Sequence, residues 1–431
     1  MQKRVERLTR RLGVWGATGL GLGSMVGTGV FVGIGVAAGV AGPMVIPAVV
    51  VAAFVALCNA MSSAQLAAAH PVSGGTYEYG YHYVHPLAGF TAGWMFLCAK
   101  SASAATAALG FGGYFLRMFG VESHTGVLLT GLTVSLGITF LVLGGLKRSH
   151  AANVTIVSIT LLALAVFVVT ALPETLRVRQ EHLSPLLPGS RRDLSSFLQA
   201  CALMFVAYTG YGRIATMGEE IREPRRNIPR AIMTVMAVTA LLYLAVALTA
   251  VGAAGAEALS DAASGAAAPL ETVLRGLGHP LPALVVALGA MTAMLGVLLN
   301  LILGLSRVAL AMGRRGDLPA AFSRIDAKGV TPRVAVAGVG ALVCGLTLLG
   351  SVRLTWSFSA FTVLVYYALT NLSALRLPAG DRLYPRVFPI IGLTACAFLA
   401  FWVEPRVWMT GLGVLAAGLV FRFGLRLAFQ K

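Results

Sequence analysis

Two short stretches of this chain could bind a small charged solute through their backbone. The sequence GSMVGTG (residues 23–29) interrupts an apolar run at residues 14–41, and YTGYG (residues 208–212) interrupts another at residues 196–217. Each interior glycine weakens a helix by about 1 kcal/mol relative to alanine, so both stretches predict broken helices. The N–H and C=O groups that a break leaves without intrahelical partners can hold carboxylate and ammonium groups.

The two predicted breaks suit the two charged groups of an α-amino acid. In the first break, the N–H groups of residues 26–29 would bind the carboxylate, because the positive end of a helix dipole favours an anion. In the second break, unwound carbonyl groups would accept the ammonium group. The glycines have an alternative interpretation, which is that they allow close helix packing. Tyr208 has one as well, as an ordinary packed aromatic residue. The expected binding residues are Ser24, Met25, Val26, Gly27, Thr28, Gly29, Phe205, Val206, Tyr208, Thr209 and Gly210.

A lysine lies near the middle of the apolar run at residues 86–115. Ser103, Ala104 and Ala107 share the helical face of Lys100, which predicts that this face points into a helix bundle. A charge at mid-membrane costs about 2.5–3.5 kcal/mol and therefore indicates a function. Three interpretations remain open. Lys100 acts in coupling as a fixed cation or proton carrier, it pairs with an acidic substrate side chain, or it reaches along the helix to the membrane surface without a role.

Two further polar residues lie in apolar runs and could line a pathway. Ser103 follows Lys100 by one helical turn, and Asn300 lies in the apolar run at residues 282–312. Interhelical hydrogen bonding explains Asn300 equally well, because amide side chains join helices within membranes.

The sequence contains no pattern that indicates a metal, a cofactor or a catalytic centre. Glu78, His82 and His85 have helical spacing, but they lie in a loop that requires no metal. The five cysteines all lie in apolar segments without metal-ligand spacing. By our boundaries, no Asp or Glu falls within an apolar run, so the residue pairs needed for intramembrane hydrolysis are missing. We expect no metal, no cofactor and no enzyme activity.

The composition predicts a membrane protein. Of 431 residues, 57% are hydrophobic and 11% are charged, whereas soluble domains carry about 25% charged residues. The net charge of +17 fits cytoplasmic loops of a membrane protein, and no basic patch interleaved with aromatics indicates nucleic acid. At about 20 apolar residues per span, we predict twelve transmembrane helices. They lie at residues 14–41, 43–68, 86–115, 126–146, 152–172, 196–217, 232–255, 282–312, 334–350, 354–376, 387–403 and 407–424.

The predicted spans indicate an orientation and an internal repeat. Lys and Arg residues concentrate in alternate loops, which predicts that both termini, including residues 1–13, lie in the cytoplasm. We expect an integral protein of the cell (inner or plasma) membrane. The broken spans 1 and 6 occupy matching positions in two groups of five spans. Because each group has an odd number of spans, the second group crosses the membrane in the opposite direction to the first. This pattern predicts a ten-helix core at residues 14–376, made of repeats at 14–172 and 196–376. Two additional helices follow at residues 387–424.

Four motifs in this order resemble those of the amino acid–polyamine–organocation (APC) superfamily of permeases, in its amino acid transporter branch. The resemblance covers roughly residues 10–376 and implies a LeuT-type 5+5 inverted repeat with broken helices 1 and 6. It also implies alternating access and an amino acid or related amine as substrate. The motifs are GLGSMVGTGVFVGIG in span 1, PVSGGTY (71–77) with Tyr79, GEEIREPRRNIPRA (218–231), and Ser306-Arg307 with MGRRGDLP (312–319).

The chain departs from these relatives in two respects. Many relatives that run without sodium carry a lysine in span 5, at a position that falls near residues 158–160 here, where this chain has none. Lys100 could replace that fixed cation. Core acids, which often accompany cationic substrates or carboxylate-based proton coupling in the family, are also missing, and this argues against both a cationic substrate and proton coupling through a carboxylate.

We therefore expect a secondary active transporter of a small neutral amino acid, coupled to protons or working as an exchanger. The alternatives are an acidic amino acid or polyamine/amine permease, and a sensor that binds an amino acid without transporting it. The expected partners are the amino acid, membrane lipid, and protons or a counter-substrate. The sequence leaves the oligomeric state open.

Overall fold

The chain folds as a bundle of α-helices. The computed structural model describes residues 12–72, 74–145, 150–216, 221–265, 267–326 and 331–429, and within them the extended pairing is a single parallel bridge between Leu12 and Ile221. Short 3-10 or π-helical turns lie at Gly29–Gly33, Gly42–Met44, Gly80–Val84, Thr209–Tyr211, Ala320–Ser323 and Ala379–Asp381. The α-helices are α1 (Val14–Met25), α2 (Ile34–Ala41), α3 (Val45–Ala69), α4 (Thr76–Tyr79), α5 (Pro86–Met118), α6 (His124–Leu143), α7 (His150–His182), α8 (Arg191–Ala207), α9 (Gly212–Ala215), α10 (Pro224–Ala254), α11 (Ala256–Ser264), α12 (Pro269–Gly276), α13 (Pro280–Arg314), α14 (Arg333–Thr347), α15 (Val352–Leu375), α16 (Val387–Ala400) and α17 (Pro405–Phe429).

Many of these helices could cross a membrane. Val14–Ala69 is 56 residues long, more than twice the roughly 20 residues that one crossing needs. Helix α5 has the length of a span, but Lys100 and many small residues lower its hydropathy. The apolar helices α14 and α16 are shorter. Eight stretches of the described chain are long and apolar enough to cross, namely Val14–Ala69, His124–Leu143, Ala151–Val178, Arg191–Ala215, Pro224–Ala254, Pro280–Arg314, Val352–Leu375 and Pro405–Leu427. This composition indicates an integral membrane protein.

The first glycine-rich stretch interrupts a helix. Helix α1 ends at Met25, and Val26 adopts extended backbone angles (φ −78°, ψ 96°). Helical geometry resumes at Thr28 and continues through a π-helical turn into α2. The N–H groups that begin this second segment have no partner within it, so the break presents backbone donors at residues 27–29.

In the second glycine-containing stretch, residues 208–212, the α-helix gives way to a 3-10 turn, and the backbone does not become extended as it does at Val26. Helix α8 ends at Ala207, a 3-10 turn spans Thr209–Tyr211, and α9 continues as a short helix. The Tyr208 N–H donates to the carbonyl oxygen of Phe205 at 3.1 Å. Because a 3-10 turn tightens the backbone, it reorients the side chains that follow α8.

The two breaks touch each other, and glycine makes this contact possible. A Cβ atom on Gly210 would lie 2.3 Å from the backbone oxygen of Ser24, and one on Gly29 would lie 2.5 Å from Cβ of Ala207. Neither position has room for a side chain. The close packing proposed for small residues and the helix breaks therefore occur together.

Helices α5 and α15 pack side by side in antiparallel register. Ser103 and Ser359 share a hydrogen bond of 2.8 Å, and Thr106 donates to Oγ1 of Thr355 at 2.8 Å. From the first pair to the second, the residue number rises by three on α5 and falls by four on α15, as expected for antiparallel helices. Lys100 lies one turn from the serine pair, so this register fixes its depth in the bundle.

The region between α10 and α13 differs from the expected loop. It contains two short helices, α11 and α12. A Cβ on Gly35 would lie 2.9 Å from Cβ of Ala263, and one on Gly39 would lie 2.2 Å from Oγ of Ser260. These helices, of nine and eight residues, are too short to cross a membrane, yet α11 covers α2 closely.

Candidate functional site

A cavity of about 550 Å³ penetrates the bundle. At one end it is lined by Glu78, Arg314 and Arg315, and both arginines are solvent-exposed, so the cavity opens there. We call this side of the bundle the Arg315 end. At its inner limit the cavity reaches Lys100 and Thr209. We call it the large cavity.

One face of α13 forms a wall of the large cavity. The spacing of these residues alternates between four and three, which keeps them on one side of a helix. Two of them are arginines, separated by seven residues or about 10.5 Å along the helix axis. The residues of this face are Asn300, Gly304, Arg307, Ala311 and Arg314.

A second, smaller cavity of about 40 Å³ lies between the two helix breaks. The two cavities meet, because the same six side chains or backbone segments line both of them. These shared residues are Ser24, Lys100, Thr209, Gly210, Val297 and Leu301. Beyond them the small cavity is lined by Met25, Thr28, Gly29, Ser103, Val206, Ala207 and Trp356.

Lys100 lies at the junction of the two cavities. It is buried, and its Nζ donates to Oγ1 of Thr209 at 2.7 Å. Within the described part of the chain, no carboxylate lies within 4.0 Å of this ammonium nitrogen. An unpaired buried charge is costly, so the residue is poised to interact with a ligand or a transferable proton.

Thr209 links Lys100 to the backbone of the second break. Its hydroxyl donates to the carbonyl oxygen of Val206 at 2.7 Å, and its own carbonyl oxygen accepts from the hydroxyl of Tyr367 at 3.1 Å. The Lys100 side chain therefore contacts the α8–α9 break through one threonine. A substitution of Thr209 would therefore alter hydrogen bonds of both the Lys100 side chain and the α8–α9 break.

Thr28 presents a buried hydroxyl without a partner. It is 4% exposed, lines the small cavity, and its Oγ1 makes no hydrogen bond to the described residues. Asn300 Nδ2, on the wall of the large cavity, is also without a partner there. Buried polar groups in native structures are nearly always satisfied, so both groups are suited to bind a solute or water.

A model of a known protein family matches most of the chain. The family is described as amino acid permease, and the match covers residues 16–416. This chain belongs to the amino acid permease family. The match confirms the resemblance to the APC superfamily that the four motifs indicated, and it extends beyond them to the last helices.

Individual relatives agree with this assignment. The permease is 38% identical over 427 residues to an uncharacterized transporter of Mycobacterium tuberculosis, with 98% of the permease and 92% of the relative covered. It is 28% identical to a branched-chain amino acid permease of Bacillus subtilis (94% and 90% covered). It is 26% identical to the methylthioribose transporter of the same organism (98% and 94% covered). These names indicate a transporter and differ in substrate.

The structure brings most of the predicted binding residues of the permease together. Nine of the fourteen predicted residues line the small cavity, and Asn300 lines the large one. The nine are Ser24, Met25, Thr28, Gly29, Lys100, Ser103, Val206, Thr209 and Gly210.

Four predicted residues of the permease line neither cavity. Tyr208 turns away, because its hydroxyl donates to the carbonyl oxygen of Val49 at 3.3 Å and its ring packs on Tyr243. Gly27 faces Val297, and a Cβ there would lie 2.6 Å from that side chain. Val26 and Phe205 are buried elsewhere in the core. Tyr208 therefore fits the packed-aromatic alternative, and Gly27 the close-packing alternative.

Other cavity residues of the permease escaped sequence analysis. Trp356, Val297 and Leu301 are apolar residues in apolar runs, so no sequence signal separates them from ordinary core. The α13 face could have been found, since Asn300, Arg307 and Arg314 repeat every seven residues.

The Glu78–His82–His85 group of the permease does not converge on one point. Glu78 forms an ion pair with Arg315, and His82 stacks on His70 with ring centroids 4.5 Å apart. His85 instead accepts a hydrogen bond from the Leu87 N–H. Burial raises the pKa of Glu78, and the neighbouring Arg315 opposes that rise. These residues fix the Arg315 end of the bundle.

A buried ion pair also fixes the Arg315 end of the permease. Arg422 of α17 donates from Nε to Oδ1 of Asp317 at 3.0 Å, and both side chains are fully buried. The hydroxyls of Tyr77 and Tyr81 donate to the other oxygen of Asp317. Burial, together with Asp317, raises the pKa of Tyr81 to about 12, so this phenol remains a donor. The last helix is thereby tied to two loops.

Proposed function

We propose that this permease is a secondary active transporter that moves a small neutral amino acid across the cell membrane by alternating access. The observation that carries the proposal is the meeting of two helix breaks at the inner limit of the large cavity. There, backbone N–H groups, an unpartnered Thr28 hydroxyl and the Lys100 ammonium surround the small cavity. The permease family match supports an amino acid as the solute.

The two charged groups of the solute would bind to different breaks. The N–H groups of Thr28 and Gly29 and the Thr28 hydroxyl would hold the carboxylate, since the start of a helical segment favours an anion. The carbonyl oxygens of Val206 and Thr209 would accept the ammonium group. Both carbonyl oxygens already accept from side-chain hydroxyls at the break, Val206 from Thr209 and Thr209 from Tyr367.

A neutral side chain suits the small cavity best. No acidic residue is among its described lining residues, so a cationic side chain would be buried without a partner. Lys100 adds a positive charge at the junction, which further disfavours a cation. Its role would then be coupling, either as a fixed cation or as the carrier of a transported proton, with amino acid exchange as the other mode.

The helix order supports a LeuT-type arrangement of twelve spans with both termini in the cytoplasm. The α1–α2 and α8–α9 breaks would be the first and sixth spans of two inverted five-helix repeats, and α16 and α17 would follow the core. The Arg315 end then faces the cytoplasm, as its arginines favour, and the large cavity is the cytoplasmic route. Alternating access requires the opposite end to open, where Glu271 of α12 lies 3.4 Å from Nε of Arg117 at the end of α5.

One observation favours a second candidate, an acidic amino acid permease. Lys100 lines both cavities without a carboxylate partner among the described residues. In this alternative the side-chain carboxylate of glutamate or aspartate would pair with Lys100. Replacement of Lys100 by alanine would then abolish binding of the acidic solute.

Counterflow in proteoliposomes tests these proposals. Vesicles containing purified permease would be loaded in turn with alanine, glutamate, arginine or putrescine, and uptake of the same labelled solute measured without an ion gradient. We expect accumulation with alanine, and an inwardly directed pH gradient would then separate proton coupling from exchange. Accumulation with glutamate would establish the second candidate. Uptake of arginine or putrescine, or binding without flux while a known permease works in parallel, would contradict the proposed function.

A further inference from the structure

Trp356 closes the small cavity on the side away from the large cavity. It is the one lining residue contributed by α15, and its side chain is 2% exposed. Helix α15 contacts the Arg315 end through its last turns, where the Tyr366 hydroxyl accepts from the Thr76 N–H at 3.3 Å. Trp356 lies ten residues earlier, about 15 Å along the axis, so it stands beyond the binding region.

Three contacts hold the indole ring in place. Its Nε1 donates to the carbonyl oxygen of Leu203 on α8 at 3.1 Å. The ring lies over Gly33 and Gly29, where added Cβ atoms would lie 2.8 Å and 3.6 Å from its six-membered ring. The two glycines, spaced by four at the ends of the π-helical turn Gly29–Gly33, thus make room for the indole. The ring spans from the α1–α2 segment to α8, the two elements that carry the breaks.

The register of α5 and α15 gives the depth of the space that Trp356 closes. The pair Thr106–Thr355 lies one residue from Trp356, and Lys100 lies six residues before Thr106 on α5. Since α15 runs antiparallel to α5, Trp356 lies one residue closer to Lys100 than Thr355 does, and at 1.5 Å per residue the levels of Lys100 and Trp356 are about 7.5 Å apart. A solute bound at the breaks must place its side chain within this depth.

Four apolar residues form part of the side walls of the space. Val206, Ala207 and Val297 line it alongside Leu301, and the volume is about 40 Å³. Since one water needs about 10–15 Å³ measured in this way, the cavity holds about three water molecules. This space accommodates an amino acid with a very small side chain.

We propose that Trp356 is the residue that determines substrate size, because its indole is the end wall that restricts the side chain to that of glycine, alanine or serine. The same ring seals the site from the far side while the large cavity is open. This inference rests on the proposed function and adds the substrate class within neutral amino acids. Leucine and methionine are excluded by the wall and not by the charged groups.

Replacing Trp356 with Phe and with Leu tests this inference. Counterflow of alanine and of leucine would be measured for both variants and for the wild type. One methylene in an apolar pocket changes selectivity by about 10- to 200-fold, so we expect wild type to prefer alanine over leucine by at least about tenfold. W356L should reduce this ratio of alanine to leucine counterflow by at least about tenfold, whatever its absolute alanine rate, with W356F between the two.

A matched substitution and a folding check make the result decisive. Trp408 of α17 packs on Phe401 and lines neither cavity, so W408L should keep the wild-type preference. If W356L fails to elute as a single species, W356F carries the comparison, since it retains an aromatic ring. Wild type that transports leucine as well as alanine, or variants with an unchanged ratio, would overturn the inference and leave the proposed function intact. Wild type that transports none of the amino acids would contradict the proposed function, and the inference would fall with it.

Discussion

Lys100 on α5 donates a hydrogen bond of 2.7 Å from Nζ to Oγ1 of Thr209, within the break that follows α8. The bond connects a buried cation to backbone that is no longer α-helical. Because Thr209 Oγ1 also donates to the Val206 carbonyl, protonation or ligand binding at Lys100 changes the hydrogen bonds of the break. This link is a physical route from a buried charge to the break that we propose binds the ammonium group of the solute.

Loss of the Lys100 charge should impair transport. We expect Lys100→Met to lower kcat/KM for counterflow by about 10- to 100-fold, since a hydrogen bond to a charged group contributes about 1.5–3 kcal/mol. Thr209→Val should have a smaller effect in the same direction, because it leaves the ammonium group in place. The measurement is initial-rate counterflow in proteoliposomes of equal protein content.

Ser101 provides the matched control for this prediction. It is one residue away on α5, fully buried, and lines neither cavity. Ser101→Ala should leave counterflow unchanged. If Lys100→Met showed the wild-type counterflow rate, Lys100 would have no role in transport, and the prediction would be wrong.

A methyl group at Gly210 should separate the two breaks. Its Cβ would lie 2.3 Å from the backbone oxygen of Ser24, and this contact can be relieved only by moving backbone. Overpacking of this kind costs about 1–3 kcal/mol. We expect Gly210→Ala to lower the melting temperature in detergent and to abolish most alanine counterflow.

Gly345 of α14 gives the comparison for Gly210, because no atom lies within 4 Å of a Cβ built there. Gly345→Ala should preserve transport and raise stability by up to about 1 kcal/mol, as alanine favours a helix. Equal behaviour of the two variants would argue that the contact between the breaks has no importance.

The buried pair Asp317–Arg422 should be sensitive to the loss of one partner. Arg422→Met leaves the fully buried Asp317 carboxylate with only tyrosine donors. Breaking a buried ion pair in this way costs about 3–5 kcal/mol. We expect a clear fall in melting temperature for this variant, measured by size-exclusion chromatography after heating.

The double variant Asp317→Asn with Arg422→Met tests the origin of that loss. It removes the second charge, so much of the stability should return, because replacing a whole buried pair is often neutral. A double variant that is less stable than the single one would contradict this electrostatic explanation.

Acidification should destabilise the permease through His70. Burial lowers the pKa of His70 below its ordinary value of 6.5, and the adjacent His82 acts in the same direction. The unfolded chain therefore binds this proton more readily than the folded chain, so stability falls as pH decreases through about 6.5 towards 5. Melting temperatures between pH 7.5 and 5 should drop more for wild type than for His70→Phe.

A histidine elsewhere gives the reference for the pH experiment. His279 precedes α13 and is exposed, so His279→Gln should follow the wild-type curve. Parallel curves for wild type and His70→Phe would show that His70 makes no contribution.

Much of the site could be predicted from chemical types that are rare in apolar runs. Three features stand out because each is energetically unfavourable in a membrane helix, and each therefore indicates a function. They are the glycines of residues 23–29, the YTGYG stretch and Lys100. Ser24, Thr28 and Thr209 were found with them because they neighbour the predicted breaks. The helical, membrane-spanning class follows from composition alone.

The remaining site residues depend on orientation, which composition does not encode. Phe205 and Tyr208 neighbour the second break, but the turn of the helix directs Tyr208 towards Val49 and Tyr243. Trp356 is one aromatic among many in apolar segments, and only the glycines beneath its ring reveal its position. The covering helix α11 has one apolar face and nine residues, too short for a pattern to separate it from a loop.

The most direct test of the central claim is equilibrium binding of labelled alanine to the purified permease, with competition by alanine, propionate and ethylamine. In the proposed site the carboxylate binds to the first break and the ammonium group to the second, so both groups are required on one molecule. We expect saturable binding that unlabelled alanine displaces, and no displacement by propionate or ethylamine at the same concentrations. Displacement by propionate or ethylamine as effective as that by alanine, or no saturable binding by well-folded protein, would contradict an amino acid site formed by the two helix breaks.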